Sequence, residues 1–200
     1  MHTAYIGMGA NLPSWTGAPE ATLAAATLRM ESLGRVVCRS SLYSTEPVGF
    51  ADQPRFVNAV IELETGLEPR ELLDGLLALE LTFGRDRAAG FANGPRTLDL
   101  DILLFDDLKL SEPGLEIPHP RLAERAFVLS PLSELAARVL DGKCGAIVSQ
   151  LLNHRFPISD SGVPVVEQIQ RDAWRAGADR GFERPSTASR TDPGDHHGGG

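Results

Sequence analysis

The sequence predicts an α+β fold, an antiparallel sheet with helices packed on one face, and three observations predict it. Hydrophobic periodicity along the first half of the chain runs strand, helix, strand, strand, helix, strand. The third strand segment is wholly apolar on one side only, as a sheet covered by helices requires. The second helix segment is bracketed by Pro69 and Gly84, residues that start and stop helices.

Residues 3–8 read as a short strand closed by Gly9, and residues 19–33 as a helix that gathers Leu23, Thr27, Met30 and Leu33 near one face. Residues 36–43 are β-branched and aromatic enough for one continuous strand. A turn-rich loop, STEPVGFADQP, leads to residues 56–63, where Val57, Ala59, Ile61 and Leu63 share one face and Phe56, Asn58, Val60 and Glu62 the other. Pro69 then opens a helix with a stripe of Leu72, Leu73, Leu76, Leu77 and Phe83, and residues 98–105 form the fourth strand. The order β-α-β-β-α-β is the split unit of ferredoxin-like folds, with the face opposite the helices open for ligand. Past Pro118, additional C-terminal helices are expected, one capped by Ser130 with Pro131 first, another over residues 146–154.

A chain of 200 residues, 42% hydrophobic, suffices for one domain and is too short for two. Regular patterning runs over residues 1–158, which are expected to form that domain. From Ser159 the composition turns to Asp, Gly, Arg, Ser and Pro, so residues 159–200 are expected to be a disordered tail that activity does not need. Residues 165–176 (VVEQIQRDAWRA) are its one candidate helix, and the adjacent His196 and His197 fit an inert terminus. Cys38 and Cys144 have no paired spacing and read as reduced thiols. With no basic-then-apolar leader and no run of about 18 apolar residues, a cytoplasmic protein without membrane contact is expected, acting as a monomer. The net charge of −8 opposes binding to a nucleic acid, yet 17 of the 19 basic residues are Arg, whose planar fork suits phosphate.

The sharpest motif is GPRTLDLDILLF at residues 94–105. Period two places Asp99 and Asp101 on one face of a strand otherwise made of Leu, Ile and Phe. Two like charges there repel and lose solvation unless a cation compensates them, and magnesium, which takes one or two carboxylates and fills its shell with water and phosphate oxygens, suits the pair. The alternative is a pair of strand-edge aspartates facing solvent. Arg96, with Arg85 and Arg87 in the loop before it, brings cationic groups for a polyphosphate to the same end of the sheet. Gly7 and Gly9 lack the third glycine of a dinucleotide fingerprint, and Gly142-Lys143-Cys144 lacks the rest of a P-loop. His119, in IPHPR, fits a turn residue as well as a ligand. A two-metal nuclease on the same fold would want a basic surface that this chain lacks, and a regulatory module would have no use for two aspartates beside arginines.

These residues together resemble the 6-hydroxymethyl-7,8-dihydropterin pyrophosphokinases. The similarity runs over about 155 residues, through AYIGMGANL, STEPVG, QPRFVNA, LELTFGRDR, GPRTLDLDILLF and IPHPRLAERAFVLSPLSEL. It implies a ferredoxin-like fold, two magnesium ions, ATP as co-substrate, a dihydropterin as acceptor and release of AMP. Asp99 and Asp101 would bind the ions, and Arg85 and Arg96 would act on the transferring group. Glu80, Arg87, Ile102, His119 and Arg125 would serve ATP. Phe56 and Phe127 would sandwich the pterin, with Asn58, Thr45 and Val48 completing its pocket. The chain departs from the family pattern in the loop AAGFAN, where Phe91 stands in place of the usual Trp, and at Pro120, where an aromatic is common.

Overall fold

The structure is a computed structural model that describes residues 1–85, 87, 93–135, 166–169 and 174. Its main elements are β1 (His2–Ala10), α1 (Pro19–Arg29), β2 (Arg35–Arg39), β3 (Leu42–Thr45), β4 (Phe56–Thr65), α2 (Pro69–Thr82), β5 (Asp99–Phe105), the short strands β6 (Leu110–Glu112) and β7 (Leu115–Ile117), α3 (Ala126–Glu134) and β8 (Val166–Ile169). The main sheet is antiparallel, ordered β5-β1-β4-β3-β8, with β2 pairing on β4. The ferredoxin-like order expected from the sequence is present.

Both helices of the repeat pack on one face. Leu23, Ala26 and Met30 from the first helical segment, with Leu72 and Leu76 from α2, bury against Ile6, Ala59, Ile61 and Leu100. Each such leucine contributes about 1.5–3 kcal/mol, which fixes the register of the sheet against the helices. At the start of α2, the Glu68 side chain accepts from the Glu71 backbone while Glu71 reaches back to the Glu68 N–H. At its end, Gly84 takes a positive φ of 84°.

Four expectations need correction. The single strand over residues 36–43 is two, β2 and β3, interrupted at Ser40 and Ser41. Three residues (Ser40, Ser41, Leu42) there stand opposite two on β4, between the Arg39–Ile61 and Tyr43–Asn58 pairs. Next, the face away from α1 and α2 is open only in part. On it, Val128, Leu129 and Leu132 of α3 bury against Tyr5, Val60, Leu103 and Leu104. That burial also explains why α3 begins at Ala126 rather than at Pro131. The carbonyl of Arg125 already accepts from the N–H groups of Val128 and Leu129, so Pro131 falls inside the helix at the cost of one backbone bond. Finally, residues 166–169 are not helical: they form β8 on the outer edge of β3. The expected helix over residues 146–154, the loop residues 88–92, Cys144 and the terminal histidines lie outside the described residues. Among the described residues, no helix is long and apolar enough to cross a membrane.

Candidate active site

The site is laid out by strand register. One row across the sheet runs Asp99, Gly9, Asn58, Tyr43, and the next runs Asp101, Gly7, Val60. Because β1 carries glycine at both positions, nothing rises from the floor between the two aspartates and Asn58. A Cβ on Gly9 would lie 3.1 Å from Asn58 Oδ1 and 3.9 Å from the Asp99 Cβ. The Gly-x-Gly that fails as a dinucleotide fingerprint is therefore the bottom of a cleft.

The carboxylates are not a bare repelling pair. Asp99 Oδ1 accepts from Arg85 Nη1, and Asp99 Oδ2 lies 3.4 Å from Arg96 Nε. Asp101 Oδ2 lies 3.2 Å from Arg125 Nη1 and 3.8 Å from His119 Nε2. Burial alone would raise the Asp99 carboxyl, but Arg96 and Arg85 outweigh it and hold Asp99 below the usual carboxylate range. For His119, burial holds the imidazole's proton affinity below its ordinary value, with Asp101 opposing and Arg125 assisting. Among the described residues, Arg96 Nε is buried without a hydrogen-bond partner, a donor left unspent among carboxylate and aromatic neighbours.

Glu80 stands behind this array and does not line the cleft. It is 1% exposed, and its carboxylate accepts from Arg85 Nη1 (3.1 Å), from the Leu100 N–H (2.8 Å) and from Arg87 in a bidentate grip. Burial pushes its carboxyl upward, while Arg85, the Leu100 N–H and Arg87 pull it back. Ile102 is likewise elsewhere: its side chain lies in the helix-side core, 4% exposed. On the same strand, Leu98 O and Leu100 N bond to Arg85 and Glu80, away from β1. Antiparallel alternation turns the backbone of Ile102 the same way.

On the other side of Gly9, Asn58 donates its amide N–H to Thr45 Oγ1 at 2.8 Å, which aims its carbonyl toward the cleft floor. Phe56 and Phe127 face the same space, and each carries an arginine: Arg96 lies 5.0 Å from the Phe56 ring and Arg125 5.7 Å from the Phe127 ring. The cleft holds about 810 Å³, its mouth included, and is lined by Thr45, Val48, Phe56, Asn58, Arg96, Asp99, Asp101, Arg125 and Phe127 among the expected residues. Arg85 and His119 reach it through Asp99 and Asp101, and Arg87 through Glu80. Sequence reasoning missed Gly7, Gly9 and Arg121, which also line the cleft. It missed Asn11 as well, which receives the Arg96 N–H on its Oδ1 at 2.7 Å while donating to Gln53 and to Pro54 O. A glycine at every second position of an otherwise bulky strand was the available signal for the floor.

Paired carboxylates set among arginines, beside a pocket of two phenylalanines and an amide on a ferredoxin-like sheet, define a phosphoryl-group transferase that also takes a flat heteroaromatic substrate. The sequence matches the family described as 7,8-dihydro-6-hydroxymethylpterin-pyrophosphokinase over residues 5–137. It is 48% identical over 143 residues to the 2-amino-4-hydroxy-6-hydroxymethyldihydropteridine pyrophosphokinase of Pseudomonas aeruginosa, covering 70% of this chain and 85% of that one. To the enzyme of the same name from Bacillus subtilis it is 43% identical over 138 residues, 68% of this chain and 79% of the relative. A crystal structure of Plasmodium falciparum HPPK-DHPS superposes with a TM-score of 0.53, at 14% identity, over 80% of this chain and 47% of that one, a likeness of fold. The chain belongs to the 7,8-dihydro-6-hydroxymethylpterin-pyrophosphokinase family.

Proposed function

We propose that this protein transfers the pyrophosphoryl group of ATP to the hydroxymethyl oxygen of 6-hydroxymethyl-7,8-dihydropterin, forming the pterin diphosphate and AMP in folate biosynthesis. One observation carries the reading: a single cleft joins an arginine-and-carboxylate end to an aromatic-and-amide end across a glycine floor.

The flat pterin stacks between Phe56 and Phe127, with the Asn58 amide and the Thr45 to Val48 segment meeting the donors and acceptors of its edge. Because Arg96 and Arg125 rest on those same rings, a pterin entering the slot displaces the guanidinium groups toward the phosphates. Arg85 and Arg96 then stabilise the transferring group, and Arg125 and His119 bind phosphate oxygens. Arg87 and Glu80 act as a pair: the buried carboxylate positions the arginine and keeps Arg85 beside Asp99. Ile102 serves ATP through its edge-facing backbone, since its side chain is committed to the core.

The donor set of Asp99 and Asp101 fits magnesium. Both are hard oxygen ligands on one face, and no group of three or more acidic, His or Cys side chains competes among the described residues. Two carboxylates leave most of an octahedral shell to phosphate and water. Bound there, two such ions would neutralise the polyphosphate. The remaining acceleration comes from holding the hydroxyl in line with the β-phosphorus, which positioning alone supports strongly.

The test is product analysis with ATP, magnesium and the hydroxymethyl pterin, each omitted in turn. AMP and pterin diphosphate should form only when all three are present. Equal AMP release without pterin, or ADP as product, overturns the reading.

A further inference from the structure

We infer that β8 and Trp174, which lie beyond residues 5–137 where the family description matches, clamp the pterin side of the cleft, with Gln168 and Trp174 as positioning residues. The inference rests on the reading that Thr45 and Asn58 meet the pterin.

The argument begins at the break between β2 and β3. A bulge leaves backbone groups that the ladder cannot satisfy, and a buried group left unsatisfied is destabilising. Here the missing partners come from remote parts of the chain. The Trp174 indole donates to Ser40 O at 2.9 Å, its ring 4% exposed and 4.8 Å from the Arg39 guanidinium. The Ser41 N–H donates to Glu134 Oε2 of α3 at 2.7 Å, and Gln168 Nε2 donates to Ser41 Oγ at 2.6 Å and to Glu134 Oε1 at 3.3 Å. The Tyr43 hydroxyl donates to the same Glu134 oxygen. Three elements, β3, α3 and the C-terminal segment, are tied at one point.

That point ties together the strand and the helix that carry the pterin walls. Two residues beyond Tyr43, Thr45 fixes the Asn58 amide, while α3 carries Phe127. β8 completes the fixation by pairing Val166–Ile169 along all four residues of β3. The phosphate end rests chiefly on β5 and the Glu80 cluster, which share none of these bonds, and its Arg125, at the start of α3, is held separately by Asp101. The clamp therefore acts mainly on the width and register of the pterin slot.

The experiment uses the full-length chain carrying Trp174→Ala, Gln168→Ala or Trp174→Phe. Steady-state kinetics give KM for each substrate, and binding of a nonhydrolysable ATP analogue reports that the fold persists. Trp174→Ala and Gln168→Ala should raise the pterin KM by roughly tenfold, on the order of one lost hydrogen bond, while the ATP KM stays within about twofold. Trp174→Phe, which keeps an aromatic ring at the site while removing the indole N–H, should give a smaller rise in the same direction. Unchanged pterin KM in all three, or equal rises for both substrates, overturns the clamp. Should Trp174→Ala lose analogue binding, the Phe and Gln168 variants decide by the same criterion. A wild-type chain that turns over no pterin would instead overturn the functional reading beneath it.

Discussion

Gly9 and Gly34 are both glycines beside a β-strand partner, yet side chains placed on them would meet different things. A Cβ at Gly9 meets the Asn58 carboxamide oxygen at 3.1 Å, whereas one at Gly34 meets the backbone carbonyl of Glu64 at 2.3 Å. The first neighbour is a side chain that can yield by a few tenths of an ångström; the second is the sheet itself. Gly9→Ala should thus leave the melting temperature near wild type while raising the pterin KM several-fold, about the effect of misaiming one hydrogen bond. Gly34→Ala should lower stability by about 1–3 kcal/mol with near-normal KM in the molecules that fold. Thermal unfolding and kinetics on the two variants check the pair, and the opposite assignment would show that the floor of the cleft is elsewhere. Much of this residue-level detail was legible. Period two placed Asp99 and Asp101 together, and Phe56 with Asn58, because a strand leaves no other choice. What the sequence could not disclose is that Arg85 pairs with Asp99 itself, since a residue 14 positions away becomes its neighbour only after α2 turns back on β5.

At the scale of elements, local punctuation predicted more than pattern length did. Pro69 and Gly84 bracketed α2 correctly because each acts on the residue that carries it, through a fixed φ or an allowed positive one. Gly84→Ala forces a Cβ onto a φ of 84°, so it should cost about 1 kcal/mol and shift the urea midpoint down without changing the slope. It should also raise the ATP KM, because Arg85 and Arg87 leave the helix through that turn. A stability loss with unchanged ATP KM would separate the turn from the arginines it launches. The division of β2 from β3 was not legible. Val36, Val37, Cys38 and Tyr43 favour a strand throughout, and the groups that make a break affordable come from Glu134, Gln168 and Trp174. The same reasoning explains α3. Its apolar face outweighs Pro131 only because Tyr5, Val60 and Leu104 wait beneath it.

For the whole molecule, the relevant quantity is where charge lies rather than its sum. A chain of net charge −8 concentrates Arg85, Arg96, Arg121 and Arg125 around one cleft, giving a polyanion a local attraction within a repulsive surround. Raising ionic strength from about 0.05 M to 0.5 M shortens the screening length from roughly 14 Å to 4 Å, so the ATP KM should rise several-fold while that of the uncharged pterin hardly moves. Parallel rises in both would assign the effect to the fold instead of the field. Composition misled on the polar C-terminal stretch, where four paired residues and one buried tryptophan suffice to join the sheet. A chain cut back to residue 158 would retain every side chain that lines the cleft among the described residues. It would also turn Leu42–Thr45 into the rim of the sheet, its outward N–H and C=O groups unpaired. A bare rim pairs readily with the same rim of another copy, so the shortened chain should aggregate more readily than the full-length one.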